Sequence, residues 1–287
     1  MSTNVAPAFD FARPSSGVAV DRAARTPVAA VTGGRQGIGL GIATALVAAG
    51  FDLVLLDVAR DDETEAALVK LQAAGTRVRF IAFDLAQIDR RDVVADAIFS
   101  AFGNLDCLVN NAGVQVRIRG DLLDVTPESF DRVMSVNLRG TFFLTQAIAR
   151  RMLDAPAPDA GQPHRSIITV SSINAIQPAP DRAEYCFSKT ALSMMTQLFA
   201  LRLAEAGICT YEIRPGIIRT GMTAPAARKY DALIAGGLTP IARWGEPEDV
   251  GTTVATLAPY ADRLLGRMPF STGQPFHVDA GMHIRQL

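Results

Sequence analysis

Lysine is almost missing from this chain. Of its 28 Lys+Arg residues, only Lys70, Lys189 and Lys229 are lysine. Cysteine is equally scarce. Cys107, Cys186 and Cys209 are scattered and odd in number, which excludes a disulfide-stapled scaffold and the close spacing of a cysteine metal site. They read as free thiols of a reducing compartment. Neither sign of charge prevails: the net charge is −1 and there is no basic run, which argues against nucleic acid or an anionic membrane as the main partner. No apolar stretch approaches the roughly 20 residues needed to cross a bilayer. Asp10 and Arg13 stand where a signal peptide would need an apolar centre. A cytoplasmic protein with neither membrane nor nucleic-acid partners is expected. What the chain does have is 49% hydrophobic content over 287 residues, enough for one large α/β sheet domain.

Residues 1–26 mix Ala, Pro, Ser and Gly without periodicity and are expected to form a flexible extension. From Pro27 the pattern changes. Short apolar runs ("PVAAVT", "FDLVLLDV", "RVRFIAFD", "LDCLVNNAG") alternate with amphipathic stretches at 38–49, 61–74 and 89–102. That alternation predicts βαβ units on a parallel sheet. Thr126-Pro127 opens a helix expected to run to about Leu153, with Thr126 as N-cap and Pro127 in its first turn. "DAPAPDAGQPH" breaks it. "RSIITVSS" and "ICTYEIRPG" are further strands around a helix over 183–206; a helix from Pro247 and a strand near "PFHVDAG" complete the chain. The prediction is a single α/β domain over 27–287, doubly wound in the Rossmann manner, with a seven-stranded parallel sheet flanked by helices.

The stretch "VTGGRQGIGLGIA" joins the first strand to the first helix. Gly33, Gly37 and Gly39 permit a tight turn and let backbone approach a pyrophosphate, which the helix N-terminus stabilises. Asp57 ends the second strand, about 20 residues on, where a carboxylate can accept ribose hydroxyls. Strand, turn, helix, strand and acid arrive in order, so dinucleotide binding is expected. Asp57 favours NAD over NADP, because it would repel a 2′-phosphate. Arg35 is the opposing signal and leaves NADP as the alternative.

Tyr185 and Lys189 lie four apart in a predicted helix and so share a face. A neighbouring cation favours phenolate. With lysine this rare, the compact ammonium in place of arginine points to a tight site, although a partly exposed pair without a task has the same spacing.

Taken together, these motifs resemble the short-chain dehydrogenase/reductase family over nearly all of 27–287. "TGGRQGIG" (32–39) is similar to its TGxxxGxG turn and "NNAG" (110–113) to its fourth-strand motif. Asn137, Ser172, Tyr185 and Lys189 match its catalytic tetrad, including the interval from Ser172 to Tyr185. The resemblance implies hydride transfer between a nicotinamide cofactor and a ketone or secondary alcohol. Tyr185 would be the acid or base, Lys189 would lower its pKa and bind the ribose, Ser172 would donate to the substrate oxygen, and Asn137 would order a relay water. It also implies cofactor contacts from Gly33, Arg35, Gln36, Gly37, Ile38, Gly39, Asp57, Asp84, Leu85, Asn111, Ala112, Gly113, Pro215, Gly216, Ile218 and Thr220, besides Tyr185 and Lys189. No catalytic metal is implied, and a homotetramer is expected through helices 127–153 and 183–206.

The substrate is less legible. Relatives labelled 3-oxoacyl-[acyl-carrier-protein] reductase share this pattern, but the fold hosts many carbonyl substrates. A dinucleotide-sensing regulator would keep the glycine turn and could lose the tyrosine and lysine, which this chain retains. Arg182 could meet a carboxylate or face water. Residues 217–246, with Met222, Tyr230, Leu233, Ile234 and Trp244, are expected to form a flap over the pocket; their apolar character suits an acyl or ring substrate and equally a packed loop.

Overall fold

The computed structural model describes residues 25–156, 164–258 and 269–284. The extension expected over 1–26 lies outside these except for its last two residues, as does most of the 154–165 break. Arg25 forms a two-pronged ion pair with the buried Asp106, at 2.6 and 2.7 Å.

Seven strands form one sheet: β1 (Val28–Thr32), β2 (Asp52–Asp57), β3 (Val78–Ala82), β4 (Cys107–Asn110), β5 (Arg165–Val170), β6 (Ile208–Pro215) and β7 (Gln274–Val278). Their order is β3-β2-β1-β4-β5-β6-β7, and every pairing is parallel. Helices cover both faces, so the central strands read as unbroken apolar runs instead of alternating ones. Their side chains still alternate between two cores. Ala29, Val31, Leu53 and Leu55 point to one, and Val28, Ala30, Val54 and Leu56 to the other.

Between β1 and β4 the winding reverses, and a crevice opens at the carboxyl ends of the strands. Helix α1 (Gly37–Ala48) starts there. It is pinned from behind by α8 (Pro247–Leu257): a Cβ on Gly251 would sit 2.4 Å from the Gly41 carbonyl oxygen, and one on Gly41 would sit 2.6 Å from Pro247. Helices α2 (Asp62–Gln72) and α3 (Arg91–Phe102) complete the first half, with Asp61 capping α2 through Thr64 N–H. The helical stretch before α3 begins as a 3-10 turn over Ile88–Arg90.

Two expectations need correction. The helix expected from Thr126 to Leu153 is α4 (Pro127–Met134) and α5 (Thr141–Asp154), joined by a π-helical turn over Ser135–Gly140. One added residue per turn leaves the apolar periodicity almost unchanged, so pattern alone does not reveal it. Its closest packing is at Gly140, where a Cβ would lie 2.2 Å from the Leu85 carbonyl oxygen. Thr126 caps α4 as expected, accepting from Ser129 N–H. The segment 217–246 is also more ordered than a loop. It carries α7 (Ala227–Ala235), is closed by a bridge between Ile218 and Gly245, and packs Ile217, Ile234 and Trp244 into a small core of its own. Trp244 donates its indole N–H to Asp231 at 2.7 Å. Helix α6 (Ala183–Leu203) runs between β5 and β6.

Candidate active site

A cleft of about 940 Å³ occupies the crevice. Its floor is built by hydrogen bonds between the ends of β1 and β4. The Thr32 hydroxyl accepts from the backbone N–H of Asn111 and Ala112, both at 3.0 Å. The Asn111 side chain donates to the carbonyls of Thr32 and Gly33, both at 3.0 Å. The turn above has no room for a side chain at Gly33 or Gly39. Gly33 has φ +65° and a Cβ there would meet Ala112 Cα at 2.9 Å; one on Gly39 would fall 1.9 Å from the Gly33 carbonyl oxygen. No acidic residue lies in the first turn of α1, so its positive end faces the cleft unopposed. Bare backbone, an open helix terminus and a large cleft fit a dinucleotide's pyrophosphate.

At the β2 end, Asp57 accepts from Val58 N–H at 2.8 Å and Arg35 N–H at 3.3 Å. The Arg35 guanidinium, whose availability for a phosphate was the open question, is engaged by three acids. It bonds Asp61, lies 3.3 Å from Asp57 and 3.5 Å from Glu63. Arg35 holds the Asp61 carboxyl down to about 2.

At the other end, α6 brings Tyr185 and Lys189 to the wall facing Ser172. Tyr185 is 9% exposed and Lys189 4%. The Lys189 ammonium donates to the Val170 carbonyl at 3.0 Å and lies 5.6 Å from the centre of the Tyr185 ring. Burial brings its pKa down to about 8, against the supporting charge of Glu212. Burial also raises the Tyr185 phenol above its ordinary value; the Ser172 hydroxyl and the Arg182 charge pull it partly back. A second cation, Arg182, thus acts on the phenol besides the Lys189 that spacing suggested, the two lying 5.8 and 5.6 Å from the ring centre.

All of the expected catalytic and cofactor-binding residues line this one cleft, with Asn137 the exception; of the flap residues, Met222 and Tyr230 line it and Leu233, Ile234 and Trp244 do not. Asn137 is fully buried behind the wall. It accepts from Val114 N–H at 2.7 Å and donates to the Val114 carbonyl at 3.0 Å and to Ser188 Oγ at 3.1 Å. Gly113 keeps this corner tight, since a Cβ there would sit 3.3 Å from Asn137 Oδ1 and 3.6 Å from Lys189 Nζ.

Comparison with known proteins gives the family. The family described as short chain dehydrogenase matches residues 27–231. The chain belongs to that family. Among curated relatives, this short-chain dehydrogenase is 34% identical to L-2,3-butanediol dehydrogenase of Corynebacterium glutamicum, over 89% of this chain and 98% of the relative. It is 31% identical to a 3-oxoacyl-[acyl-carrier-protein] reductase of Synechocystis sp., over 89% of this chain and 96% of the relative. Among solved structures, a 3-oxoacyl-[acyl-carrier protein] reductase from Brucella melitensis in complex with NAD is 48% identical. The match covers 92% of this chain and 99% of that one, with a TM-score of 0.84.

The short-chain dehydrogenase also carries features that the sequence reading did not pick out. Behind Lys189, the buried Glu212 accepts from Ser171 Oγ, from Ser193 Oγ at 2.5 Å and twice from Arg214 at 2.9 Å. Arg117, Arg119 and Arg132 line the cleft on the Tyr185 side; the alternation in "VQVRIRG" is the signal for the first two. Among the described residues, His277, Asp279 and His283 gather their ligand atoms within 4.8 Å, with the two imidazoles stacked 3.9 Å apart. Among the described residues, no helix is long and apolar enough to cross a membrane.

Proposed function

We propose that this chain is an NAD-dependent oxidoreductase that interconverts a small ketone and the corresponding secondary alcohol through Ser172, Tyr185 and Lys189. The observation that carries the reading is the arrival of these three residues in the same cleft as the glycine turn. The nicotinamide supplies or accepts the hydride. Gly33, Gly37 and Gly39 would hold its pyrophosphate, Asp57 the adenosine ribose, and Pro215, Gly216, Ile218 and Thr220 the nicotinamide end.

In reduction, the carbonyl oxygen takes its proton from the Tyr185 phenol, whose raised pKa keeps that proton in place at neutral pH. Ser172 donates to the same oxygen as negative charge grows on it. The Lys189 ammonium steadies the phenolate left behind. Both amide hydrogens of Asn137 are committed to Val114 and Ser188, so a relay water would have to donate to its Oδ1 or use its main chain. Following nicotinamide absorbance across a panel of ketones and alcohols tests the reading; no turnover of any of them would overturn it. Two of the relatives carry the name 3-oxoacyl-[acyl-carrier-protein] reductase, which makes a 3-oxoacyl thioester the second substrate to try. Cysteines without a disulfide among the described residues suit a cytoplasmic setting.

Cofactor preference follows from the Asp57 end. A 2′-phosphate there would meet Asp57, Asp61 and Glu63 against the single cation Arg35. Expected is kcat/KM favouring NAD(H) over NADP(H) by about tenfold or more, equivalent to roughly 1.4 kcal/mol. Asp57→Ala should narrow or reverse that ratio, and a wild-type preference for NADP(H) would contradict the assignment.

The assembly is proposed to be a homotetramer. Leu144 and Met195 are buried against the sheet, but Phe187, Met194, Leu198 and Leu201 on α6 are each more than half exposed. Their spacing places them along one face of the helix, and an apolar stripe of that kind suits a symmetry mate. Light scattering at micromolar concentration should give a multiple of the 30.6 kDa chain mass; a monomer would contradict the proposal.

A further inference from the structure

The cleft is electrically lopsided. Among the described residues, its only acidic lining is Asp57 and Asp84, at the ends of β2 and β3. The Tyr185 side carries Arg117, Arg119, Arg132 and Arg182 and no acid. Arg132 donates to the Gln115 carbonyl at 3.0 Å. Arg119 pairs with Asp181 at 3.5 Å.

Arg182 differs from the rest. Its side chain is only 16% exposed, and its Nε is buried without a hydrogen bond. Among the described residues the one carboxylate within 4.0 Å is Asp181, at 3.9 Å and already shared with Arg119. Its guanidinium carbon lies 5.8 Å from the centre of the Tyr185 ring. A mostly buried guanidinium left short of acceptors is costly unless a ligand completes it.

Building on the dehydrogenase reading, we propose that Arg182 forms an anion subsite and that the substrate is a small oxo acid or hydroxy acid. Its carboxylate would pair with Arg182 while its carbonyl meets Tyr185 and Ser172, a few bonds away. A carboxylate matches the planar fork of donors that a guanidinium carries, and Arg182 lines the same cleft as Tyr185 and Ser172. An acidic carrier protein could reach the exposed Arg117 and Arg119 but not a guanidinium this far inside. A neutral thioester arm would leave Arg182 unpaired.

The test compares matched substrates: acetoacetate and levulinate against their methyl esters, with acetoacetyl-N-acetylcysteamine as the thioester. Wild-type kcat/KM should favour the acids over the esters by on the order of tenfold to a hundredfold, the usual worth of a hydrogen bond to a charged group. In Arg182→Met that ratio should fall to about one, and Arg182→Lys should retain part of it. Both members of a pair meet the same phenol, so the ratio cancels any change in Tyr185 acidity. A wild-type preference for esters or thioester, or an unchanged ratio in Arg182→Met, overturns the proposal while leaving the dehydrogenase reading intact.

If no substrate turns over, that reading fails, and the subsite is read by binding alone. Calorimetric titration of the NADH-loaded protein with butanoate, which has no carbonyl to reduce, should show binding in wild type and its loss in Arg182→Met. Equal binding by the two, or none by wild type, counts against the subsite. Circular dichroism of both variants checks that they fold.

Discussion

Tyr185→Phe should lower turnover by about a thousandfold or more, within the range for loss of a general acid, while leaving nicotinamide affinity within a few-fold of wild type. The ring packs against Val116 and Val133, and phenylalanine preserves those contacts, so only the phenolic proton is lost. Nicotinamide fluorescence reads binding and steady-state kinetics read turnover. Turnover within a few-fold of wild type would sink the assignment of Tyr185 as the acid. The wild-type pH profile has a defined sign. Lys189 is charged below its pKa of about 8 and neutral above it, whereas the phenol, raised by burial, keeps its proton through that range. Ketone reduction should therefore hold steady below about pH 8 and fall above it, as the cation that steadies the developing phenolate is lost. A rate that climbs through this window would contradict that role for Lys189.

Glu212→Ala should be among the most destabilising single changes outside the apolar core. Glu212 is 2% exposed and faces Arg214, whose side chain is 12% exposed. Removing the carboxylate strands that guanidinium and takes the acceptor from the Ser193 hydroxyl, while Ser171 keeps the Ile213 carbonyl; breaking a buried pair costs about 3–5 kcal/mol. The melting temperature should drop by on the order of 10 °C for a chain of this size. Replacing both partners by apolar residues, Glu212→Leu with Arg214→Met, should recover much of the loss, because no unpaired charge then remains. A single variant melting within about 2 °C of wild type would show that water satisfies the network instead. The same carboxylate supports the charge on Lys189. In Glu212→Gln, the alkaline break in ketone reduction should accordingly move to lower pH.

What could be read without a structure was what local pattern encodes. The seven strands, the glycine turn, Asp57 and the Tyr185–Lys189 pair each depend on residues close in sequence, or on one period. The π turn at Ser135–Gly140 escaped because a single extra residue barely disturbs that period. Helix α7 escaped because its apolar residues pack on Trp244 and Ile217 within the same segment, not on the main core. Nor does sequence give the partners of Glu212 and Arg182. They are brought together from β5, β6, α6 and the turn before α6, and only the sheet's register sets which side chains share a space. The charge on Arg35 shows the same limit: the residue was visible, but its three acidic neighbours decide what it can do.

The contact between Gly41 and Gly251 bears on the order in which the chain can be completed. Helix α1, which aims the glycine turn, rests backbone to backbone against a helix from near the other end of the sequence. The early strands β1, β2 and β3 can pair while the chain is still being made, but the angle of α1 has no final support until α8 has emerged. The segment nearest the start is thus among the last to reach its working position, a long-range closure of the kind that slows folding.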